Sequence, residues 1–476
     1  MASGLSALRL RVLRGFYGVV QNQPWLKRLA IRMVMRFPNL GARILARVGT
    51  PGAAAGEAGR QSVDLEATQR YEAGGYRAML DPCLALAGPP PRQQLFVDIS
   101  GLIQRDARTG IQRVVRNLTR ALAEMDLPGW RVEPVYVHHQ QFVYARRFTT
   151  ADWQLPAIAL GDEPIQAGVG DVFFTADLAL LPIAQMEAPL QRLRAAGVSI
   201  HFVLHDLIPL THPQFYQGEV DPRFARWLEI VLAEADGVWC VSAAVLDDLR
   251  AYLRQHPLPR GDGGPHLGWF HLGANLPSWQ ASAAEPGHWE TLGLSGVTPG
   301  SKCFLMVGTL EPRKGHGQVL DAFEALWRNG DDVCLVIIGK VGWNVRAVVD
   351  RLRGHAEAGR RLAWFENAAD NVLCQAYGSA HALIAASYTE GFGLPLIEAA
   401  QHGLPVIARD IPVFREVAGE HAYYFDAADG DALAAAIRGW LVLEAEGRAP
   451  ASRGMPYLSW AESARRVAQA ILPGCR

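Results

Sequence analysis

The sequence predicts an α/β protein built from two units, each a mostly parallel sheet covered by helices on both faces. Three observations support this fold class. Short apolar runs alternate with helical stretches from residue 94 onward, and the same alternation restarts near residue 303. A segment rich in Gly, Pro and Ser, near residues 276–301, separates the two series. Finally, 476 residues with 50% hydrophobic and 20% charged residues are enough for two or three domains.

The charge distribution sets the N-terminal part of the chain apart. Residues 1–50 hold nine Lys or Arg and no Asp or Glu, whereas the whole chain has a net charge of −1. The remaining residues therefore carry a net charge of about −10. The spacing predicts a helix over residues 25–37, with Arg28, Arg32 and Arg36 along one side. This helix suits either docking on the protein body or contact with an anionic membrane surface. Residues 48–62 are predicted to be a flexible linker.

Several classes of protein are disfavoured by the sequence. No apolar run reaches about 18 residues, and no signal peptide is evident, so we expect a cytoplasmic protein without a membrane-spanning helix. The six cysteines form no C-x-x-C pair, which predicts a reducing compartment, no disulfide framework and no zinc site. Asp429 and Asp431 resemble an Asp-x-Asp metal motif, but their place before a helix predicts capping. We therefore expect no catalytic metal.

The first series begins with "QLFVDIS" and the helix "GIQRVVRNLTRAL", followed by the apolar runs "VEPVYV", "DVFF", "SIHFVLHD", "DGVWCVS" and "GWFHLG". Thr109 and Gly110 lie where a loop enters that helix, which suits a helix cap or an anion site. His205 and Asp206 directly follow a predicted buried strand. They are therefore expected at the cleft between the units, where His205 is either a packed residue or a substrate contact.

Two clusters in the second series suggest a binding site for a nucleoside diphosphate. In "MVGTLEPRKG", a strand ends at Gly308 and the loop then supplies Arg313 and Lys314. In "SYTEGFGLPLIEAAQ", a strand-to-helix turn places Glu390 and Glu398 on either side of Gly-Phe-Gly-Leu-Pro. The start of this helix offers N–H groups to a phosphate, and the carboxylates can accept from ligand hydroxyls. We expect both clusters to meet at the carboxyl edge of one sheet.

These motifs resemble those of the family 4 retaining glycosyltransferases, which have the GT-B fold of two Rossmann-like domains. The resemblance rests on "VGTLEPRKG", "IIGKVGW", "EGFGLPLIEAAQHGLPVIARDIPVFREVAG" and "YYFDAADGDALAAAI". The strings "DISGLIQRDARTGIQRVVRNL" and "HFVLHDLIPLTHP" are similar to a bacterial subgroup that adds mannose or rhamnose to surface polysaccharides. The likeness covers about residues 94–472. Thr309 stands where many members have Arg, and Ala386-Ser387 replaces the usual Pro-Ser.

The resemblance implies four domain segments and a set of site residues. The segments are a basic extension with linker (1–90), an acceptor domain (91–285), a donor-binding domain (286–455) and a helix that crosses back (456–476). The implied catalytic residues are Glu390, Lys314, Arg313 and His205. The implied donor-binding residues are Gly308, Thr309, Arg313, Lys314, Glu390, Gly391, Phe392, Gly393, Leu394, Glu398 and Gly110.

The expected reaction is transfer of a hexose, mannose or a related deoxyhexose, from a nucleoside diphosphate sugar to a growing, lipid-linked polysaccharide. GDP-mannose is the donor that the subgroup resemblance favours, and no cofactor is expected. Residues 1–50 would hold the enzyme on the inner face of the cytoplasmic membrane. Three alternatives stay open: a pyridoxal-dependent sugar phosphorylase, a nucleotide-sugar epimerase, and a non-catalytic partner or glycan-binding protein with the same fold.

Overall fold

The computed structural model describes residues 93–106, 109–153, 161–178, 183–216, 221–257, 264–274, 293–298 and 300–474. The predicted basic helix over 25–37 and the linker over 48–62 lie outside these ranges. The described residues up to 148 and from 161 onward belong to one compact unit that contains both sheets. Residues 149–153 belong to a second unit whose other residues are not described.

Thirteen strands are present in the described residues. They are β1 (Gln93–Asp98), β2 (Trp130–His138), β3 (Gln141–Tyr144), β4 (Val172–Thr175), β5 (Ser199–Leu204), β6 (Gly237–Cys240), β7 (His266–Trp269), β8 (Lys302–Val307), β9 (Val333–Ile338), β10 (Leu362–Phe365), β11 (Ala382–Ala385), β12 (Val406–Arg409) and β13 (Tyr423–Phe425).

Fourteen α-helices accompany these strands in the same part of the chain. They are α1 (Ser100–Gln104), α2 (Gly110–Glu124), α3 (Arg146–Asp152), α4 (Ile183–Ala195), α5 (Ile208–Thr211), α6 (Pro222–Glu234), α7 (Ala243–Gln255), α8 (His316–Arg328), α9 (Arg346–Gly354), α10 (Asp370–Ser379), α11 (Leu394–Gln401), α12 (Pro412–Ala418), α13 (Gly430–Ala445) and α14 (Trp460–Ile471). Short 3-10 turns occur at Pro213–Tyr216 and Pro312–Lys314.

The strands form two doubly wound sheets. The first has the order β3-β2-β1-β4-β5-β6-β7 and the second has the order β10-β9-β8-β11-β12-β13. All pairs are parallel except β2 with β3, an antiparallel edge pair that the sequence did not predict. In both sheets the direction of winding reverses at one point, between β1 and β4 and between β8 and β11. Ligands of doubly wound sheets bind outside the carboxyl ends of the strands at such a point.

The core of the second sheet shows why its strands are apolar throughout. On β8, Phe304 and Met306 face one buried cluster with Trp440, while Cys303 and Leu305 face the other. A strand covered on both faces needs no polar alternation, which fits the continuous run "CFLMV". The residues built on the first sheet (93–274) are here called the first domain, and those built on the second sheet (293–453) the second domain.

The helix α2 follows from its sequence in a simple way. Val114, Val115, Leu118 and Leu122 are buried along one side, as their spacing predicts. Thr109 caps the helix by accepting from the Gln112 amide at 3.3 Å, and the Gln112 side chain accepts from the Thr109 amide in return. The last helix, α14, packs against α2, and the Ser463 hydroxyl donates to the His271 carbonyl at 2.8 Å.

Two cysteines lie side by side in the second sheet. Cys303 and Cys334 are paired in register on the adjacent strands β8 and β9, with Cα atoms 4.5 Å apart. The sequence separation of 31 residues gave no sign of this proximity, because it arises from the parallel register of two strands. Cys240 and Cys374 are free and buried. None of the helices in the described part of the chain combines the length and the apolar character needed to cross a bilayer.

Candidate functional site

The two predicted clusters meet at the point where the second sheet reverses its winding. Neighbouring strands β8 and β11 end at Val307 and Ala385, and their loops supply the 3-10 turn Pro312–Lys314 and the segment from Ser387 to Gly393. The Tyr388 amide donates to the Arg313 carbonyl at 2.8 Å, so the two loops are joined through their backbones. Residues distant in sequence therefore share one carboxyl edge, as predicted.

Arg313, Lys314 and Glu390 form the centre of the candidate site. The Arg313 guanidinium donates from Nη1 to Glu390 Oε2 at 2.9 Å, and its Nε forms an ion pair with Glu311 Oε2 at 2.8 Å. The Lys314 ammonium bonds to Glu390 Oε1, which also accepts from the Ser387 hydroxyl at 2.7 Å. Both cationic side chains are only 14% exposed. They are therefore held in fixed positions before any ligand arrives.

The electrostatics of this cluster define the state of its carboxylates. Burial acts to raise the pKa of Glu390, but the charges of Lys314 and Arg313 outweigh it and lower that pKa to about 2. Burial raises the pKa of Glu311, against the same two cations. Glu390 is thus ionised at every pH at which the protein would work. An ionised carboxylate can accept hydrogen bonds from hydroxyls, whereas a general acid must carry a proton.

The Gly391–Gly393 turn is packed against protein on both sides. A Cβ on Gly391 would lie 2.0 Å from the His205 carbonyl oxygen of the first domain. Gly393 has φ +97° and precedes α11, and a Cβ there would lie 2.8 Å from the Phe414 ring. The sequence suggests that these glycines make room for an anion. Their nearest neighbours are instead protein atoms, and Phe392 between them is buried.

Glu398 lies apart from the Arg313–Lys314–Glu390 cluster and has its own partners. Its Oε1 pairs with Arg113 Nη1 at 2.5 Å, and its Oε2 accepts from the Tyr377 hydroxyl at 2.7 Å. Arg113 is in the first turn of α2, so this ion pair joins the two domains. Sequence reasoning missed Arg113. Its position one turn after Thr109 and Gly110, at the start of a helix that faces the other domain, was the available signal.

The remaining predicted residues are placed as follows. Gly110 is exposed at the start of α2, and within the described residues no atom outside its chain neighbours and the backbone of α2 lies within 4 Å of the place that a Cβ would take there. Gly308, Thr309 and Leu394 are half-buried in the second domain. His205 is buried, and its Nε2 donates to the Ala176 carbonyl at 2.7 Å, while burial lowers its pKa. The backbone carbonyl of His205 faces Gly391.

The equivalent point of the first sheet is occupied by the protein itself. Asp177 follows β4, and its Oδ2 accepts from the Gly101 amide at 2.7 Å and the Leu102 amide at 3.1 Å. Asp98 at the end of β1 accepts from the Ser100 hydroxyl at 2.5 Å. These carboxylates fill the place where an anionic ligand would sit. The electrostatics therefore favour the second sheet as the nucleotide site.

Aromatic side chains also link the domains beside the cluster. Tyr216 stacks on Trp343 with ring centroids 5.3 Å apart, and Phe215 stacks on Tyr388 at 5.9 Å. The Trp343 indole donates to the Phe215 carbonyl at 3.2 Å. The Arg409 guanidinium carbon lies 4.1 Å from the centroid of the Tyr388 ring. Nothing in the sequence distinguished these aromatic residues from ordinary core residues.

Asp429 acts as the helix cap that its position predicted. Its carboxylate accepts from the Ala432 amide at 2.9 Å and begins α13. Among the described residues, no group of three or more His, Cys, Asp and Glu side chains is arranged to hold a metal ion.

Comparison with known proteins relates the second domain to a family and the chain to several relatives. Residues 295–453 match the family described as "Glycosyl transferases group 1". The chain is 39% identical over 378 residues to the serotype-specific mannosyltransferase WbdA of Escherichia coli, covering 78% of this chain and 44% of WbdA. It is 33% identical over 137 residues to O-antigen chain mannosyltransferase B of Escherichia coli, covering 28% of this chain and 35% of the relative. The chain thus spans less than half the length of these curated relatives.

Among solved structures, Anabaena HepE in complex with UDP and glucose superposes with a TM-score of 0.53 at 13% identity, covering 80% of this chain and 96% of HepE. This likeness concerns the fold alone. The predicted GT-B architecture is confirmed, with one antiparallel edge strand added to the first sheet. Over residues 295–453 the chain carries a domain of the glycosyl transferases group 1 family, which agrees with the family resemblance predicted for this part of the chain.

Proposed function

We propose that the chain is a retaining glycosyltransferase that moves a hexose from a nucleoside diphosphate sugar to a hydroxyl of a growing glycan. One observation carries the proposal: Arg313 and Lys314 converge on Glu390 at the carboxyl edge where the second sheet reverses. Family membership and likeness to mannosyltransferases support it. Mannose is the proposed sugar and GDP-mannose the proposed donor.

The cluster suits the chemistry of the leaving group. When the bond between sugar and diphosphate breaks, negative charge develops on the diphosphate. Arg313 and Lys314 are cations with side chains only 14% exposed, so they can stabilise this charge, and their fixed positions avoid a reorganisation cost during the reaction. The two cations can turn part of their hydrogen bonding from Glu390 and Glu311 to phosphate oxygens. We therefore assign neutralisation of the diphosphate to Arg313 and Lys314 of the second domain.

The carboxylates suit recognition of hydroxyls. Glu390, ionised and next to the cations, can accept from a hydroxyl of the donor sugar close to the reacting carbon. Glu398 can accept from ribose hydroxyls, because each carboxylate oxygen can accept more than one hydrogen bond while it holds Arg113 and Tyr377. The ring of His205 already donates to Ala176, so its proposed role is to face the sugar without giving up that proton.

We place the acceptor on a lipid-linked polysaccharide at the inner face of the cytoplasmic membrane. The nine basic residues among residues 1–50, with no acidic residue beside them, support attraction to anionic lipids. Co-sedimentation of the full chain with vesicles of phosphatidylglycerol and phosphatidylcholine tests this part separately. Replacing Arg28, Arg32 and Arg36 by Ala should weaken binding to the anionic vesicles, and equal binding would remove the support for a membrane role.

A donor screen with a matched variant pair tests the proposed reaction. The full chain is incubated with a panel of nucleoside diphosphate sugars and a mannose-terminated oligosaccharide, and nucleotide release and the anomeric configuration of the product are measured. We expect release from GDP-mannose, an α-linked product, and loss of transfer in Lys314→Ala. Lys302→Ala is the control, because Lys302 pairs with Glu444 at 2.8 Å within the second domain. Conversion of the donor without acceptor would indicate an epimerase, and no donor binding would indicate a non-catalytic partner.

A further inference from the structure

Glu416 reaches from the second domain to the N-terminal end of a helix in the first domain. It lies on α12, and its Oε1 and Oε2 accept from the Ala243 and Ala244 amides, each at 2.8 Å. These amides open α7, whose first N–H groups have no partner within the helix. The carboxylate therefore occupies the positive end of a helix that belongs to the other domain.

A third donor completes the binding of this carboxylate. His271, which follows β7 in the first domain, has Nε2 2.7 Å from Glu416 Oε1. The Glu416 side chain is 17% exposed. Burial opposes its ionisation, but the hydrogen bonds from His271, Ala243 and Ala244 outweigh burial and lower the pKa of Glu416. The contact is therefore an ionised carboxylate held by three donors of the first domain.

The same helix end also holds the loop of the candidate site. Ser242 caps α7 by accepting from the Val245 amide at 3.2 Å, and its hydroxyl donates to the Gly391 carbonyl at 2.8 Å. Phe392 packs edge-on against His271, with centroids 5.3 Å apart. Gly391 directly follows Glu390, which holds Arg313 and Lys314. A shift of the helix end relative to the loop would therefore move Glu390.

We propose that Glu416 is a positioning residue, which fixes the first domain against the second and thereby sets the Gly391–Gly393 turn and Glu390 in their working geometry. The inference rests on the proposed function for its effect on catalysis, but the domain contact itself can be tested without any activity. Glu416 lies outside the Arg313–Lys314–Glu390 cluster, so removing it should leave the cations of the diphosphate site in place. Its loss should slow turnover more than it weakens nucleotide binding.

The test compares Glu416→Ala with Asp429→Ala. Both variants remove a carboxylate that caps a helix N-terminus, but Asp429 caps α13 within its own domain. The radius of gyration of the ligand-free full chain is measured by small-angle X-ray scattering, together with thermal unfolding. Steady-state transfer from GDP-mannose gives kcat and KM, and calorimetry gives the affinity for GDP.

For Glu416→Ala we expect a larger radius of gyration than for wild type or Asp429→Ala. We also expect kcat to fall by about tenfold to a hundredfold, since small misplacements of reacting groups have effects of that size. GDP affinity should stay within about threefold of the wild-type value, because the cations of the diphosphate site keep their partners. An unchanged radius of gyration, or a kcat like that of Asp429→Ala, would overturn the proposal. If no transfer is seen even in wild type, the proposed function fails while the scattering result still decides the domain contact.

Two milder variants protect the test against misfolding. Glu416→Gln keeps the size of the side chain and one acceptor oxygen, so it should give an intermediate radius and an intermediate kcat. Ser242→Ala removes the bond to the Gly391 carbonyl together with the cap of α7, and should lower kcat with little change in radius. If Glu416→Ala failed to fold, a wild-type kcat in both Glu416→Gln and Ser242→Ala would contradict the positioning role.

Discussion

Arg113 and Glu398, separated by 285 positions in the chain, form an ion pair with 2.5 Å between Nη1 and Oε1. The pair joins α2 of the first domain to α11 of the second. Glu398 is only 3% exposed, whereas Arg113 is 31% exposed. The glutamate that the family resemblance assigns to ribose is therefore held, before any donor binds, by a cation from the opposite domain.

This pair predicts a measurable coupling in stability. Arg113→Ala leaves a buried carboxylate without its cation, so it should lower the free energy of unfolding, though by less than the ~3–5 kcal/mol of fully buried pairs. Combining it with Glu398→Gln should recover part of the loss, with a coupling energy of about 0.5–3 kcal/mol in urea titrations. The exposed pair Arg120–Glu124 on the same helix is the control, with an expected coupling of about 0.3–0.5 kcal/mol. Additive effects at Arg113 and Glu398 would contradict the account.

Gly391→Ala should impair the candidate site without unfolding the protein. The new Cβ would meet the His205 carbonyl oxygen at 2.0 Å, so the turn or the first domain must move. We expect transfer from GDP-mannose to fall by about tenfold or more. Gly317→Ala in α8 is the matched control, because its Cβ would make only an ordinary 3.5 Å contact with Val348. If Gly391→Ala transferred sugar at the wild-type rate, the close approach of Gly391 to the His205 carbonyl would have no effect on activity.

The acidic pair of the first sheet predicts a pH dependence of stability. Burial, and then the charge of Asp177, raises the pKa of Asp98 from 3.8 to about 7. Because the folded value lies above the unfolded one, the stabilisation is complete below about pH 4 and is lost as the pH rises through 7.

The melting temperature of wild type should therefore fall between about pH 5 and pH 8, and Asp98→Asn should show a smaller fall. A loss of 1 kcal/mol corresponds to roughly 2–4 °C in domains of this size. Thermal unfolding by circular dichroism at several pH values provides the measurement. If the melting temperatures of wild type and Asp98→Asn changed equally with pH, Asp98 would not carry the proposed proton.

Much of the fold was predictable because its signals are local. Apolar runs such as "CFLMV" and helix patterns such as that of α2 are contained in neighbouring residues. The edge strand β3 was missed because it is short and follows β2 directly, after a turn of His139 and Gln140, both with positive φ. Neither residue is a Gly, Asn or Asp of the kind that marks such a turn in a sequence. The proximity of Cys303 and Cys334 was missed because it depends on strand register, which sequence spacing does not give.

The residues of the candidate site also fall into two groups, those that the sequence predicted and those that it did not. Arg313, Lys314 and Glu390 could be named because each lies at a strand end of the same predicted sheet, and parallel topology brings such ends together. Arg113, Glu416 and the stacked aromatic residues act across the domain boundary. Their contacts depend on how two domains meet, and no short stretch of sequence contains that information.

The grip of Arg313 and Lys314 on a diphosphate is the central claim, and calorimetric titration of Lys314→Ala with nucleotides tests it most directly. Wild type should bind GDP at least about tenfold more tightly than GMP, since a second phosphate gains a charge-assisted contact. Lys314→Ala should lose most of that preference, while Lys302→Ala should keep it; UDP and UMP repeat the comparison with a second base. A Lys314→Ala variant that retains the full preference for the diphosphate would contradict the claim.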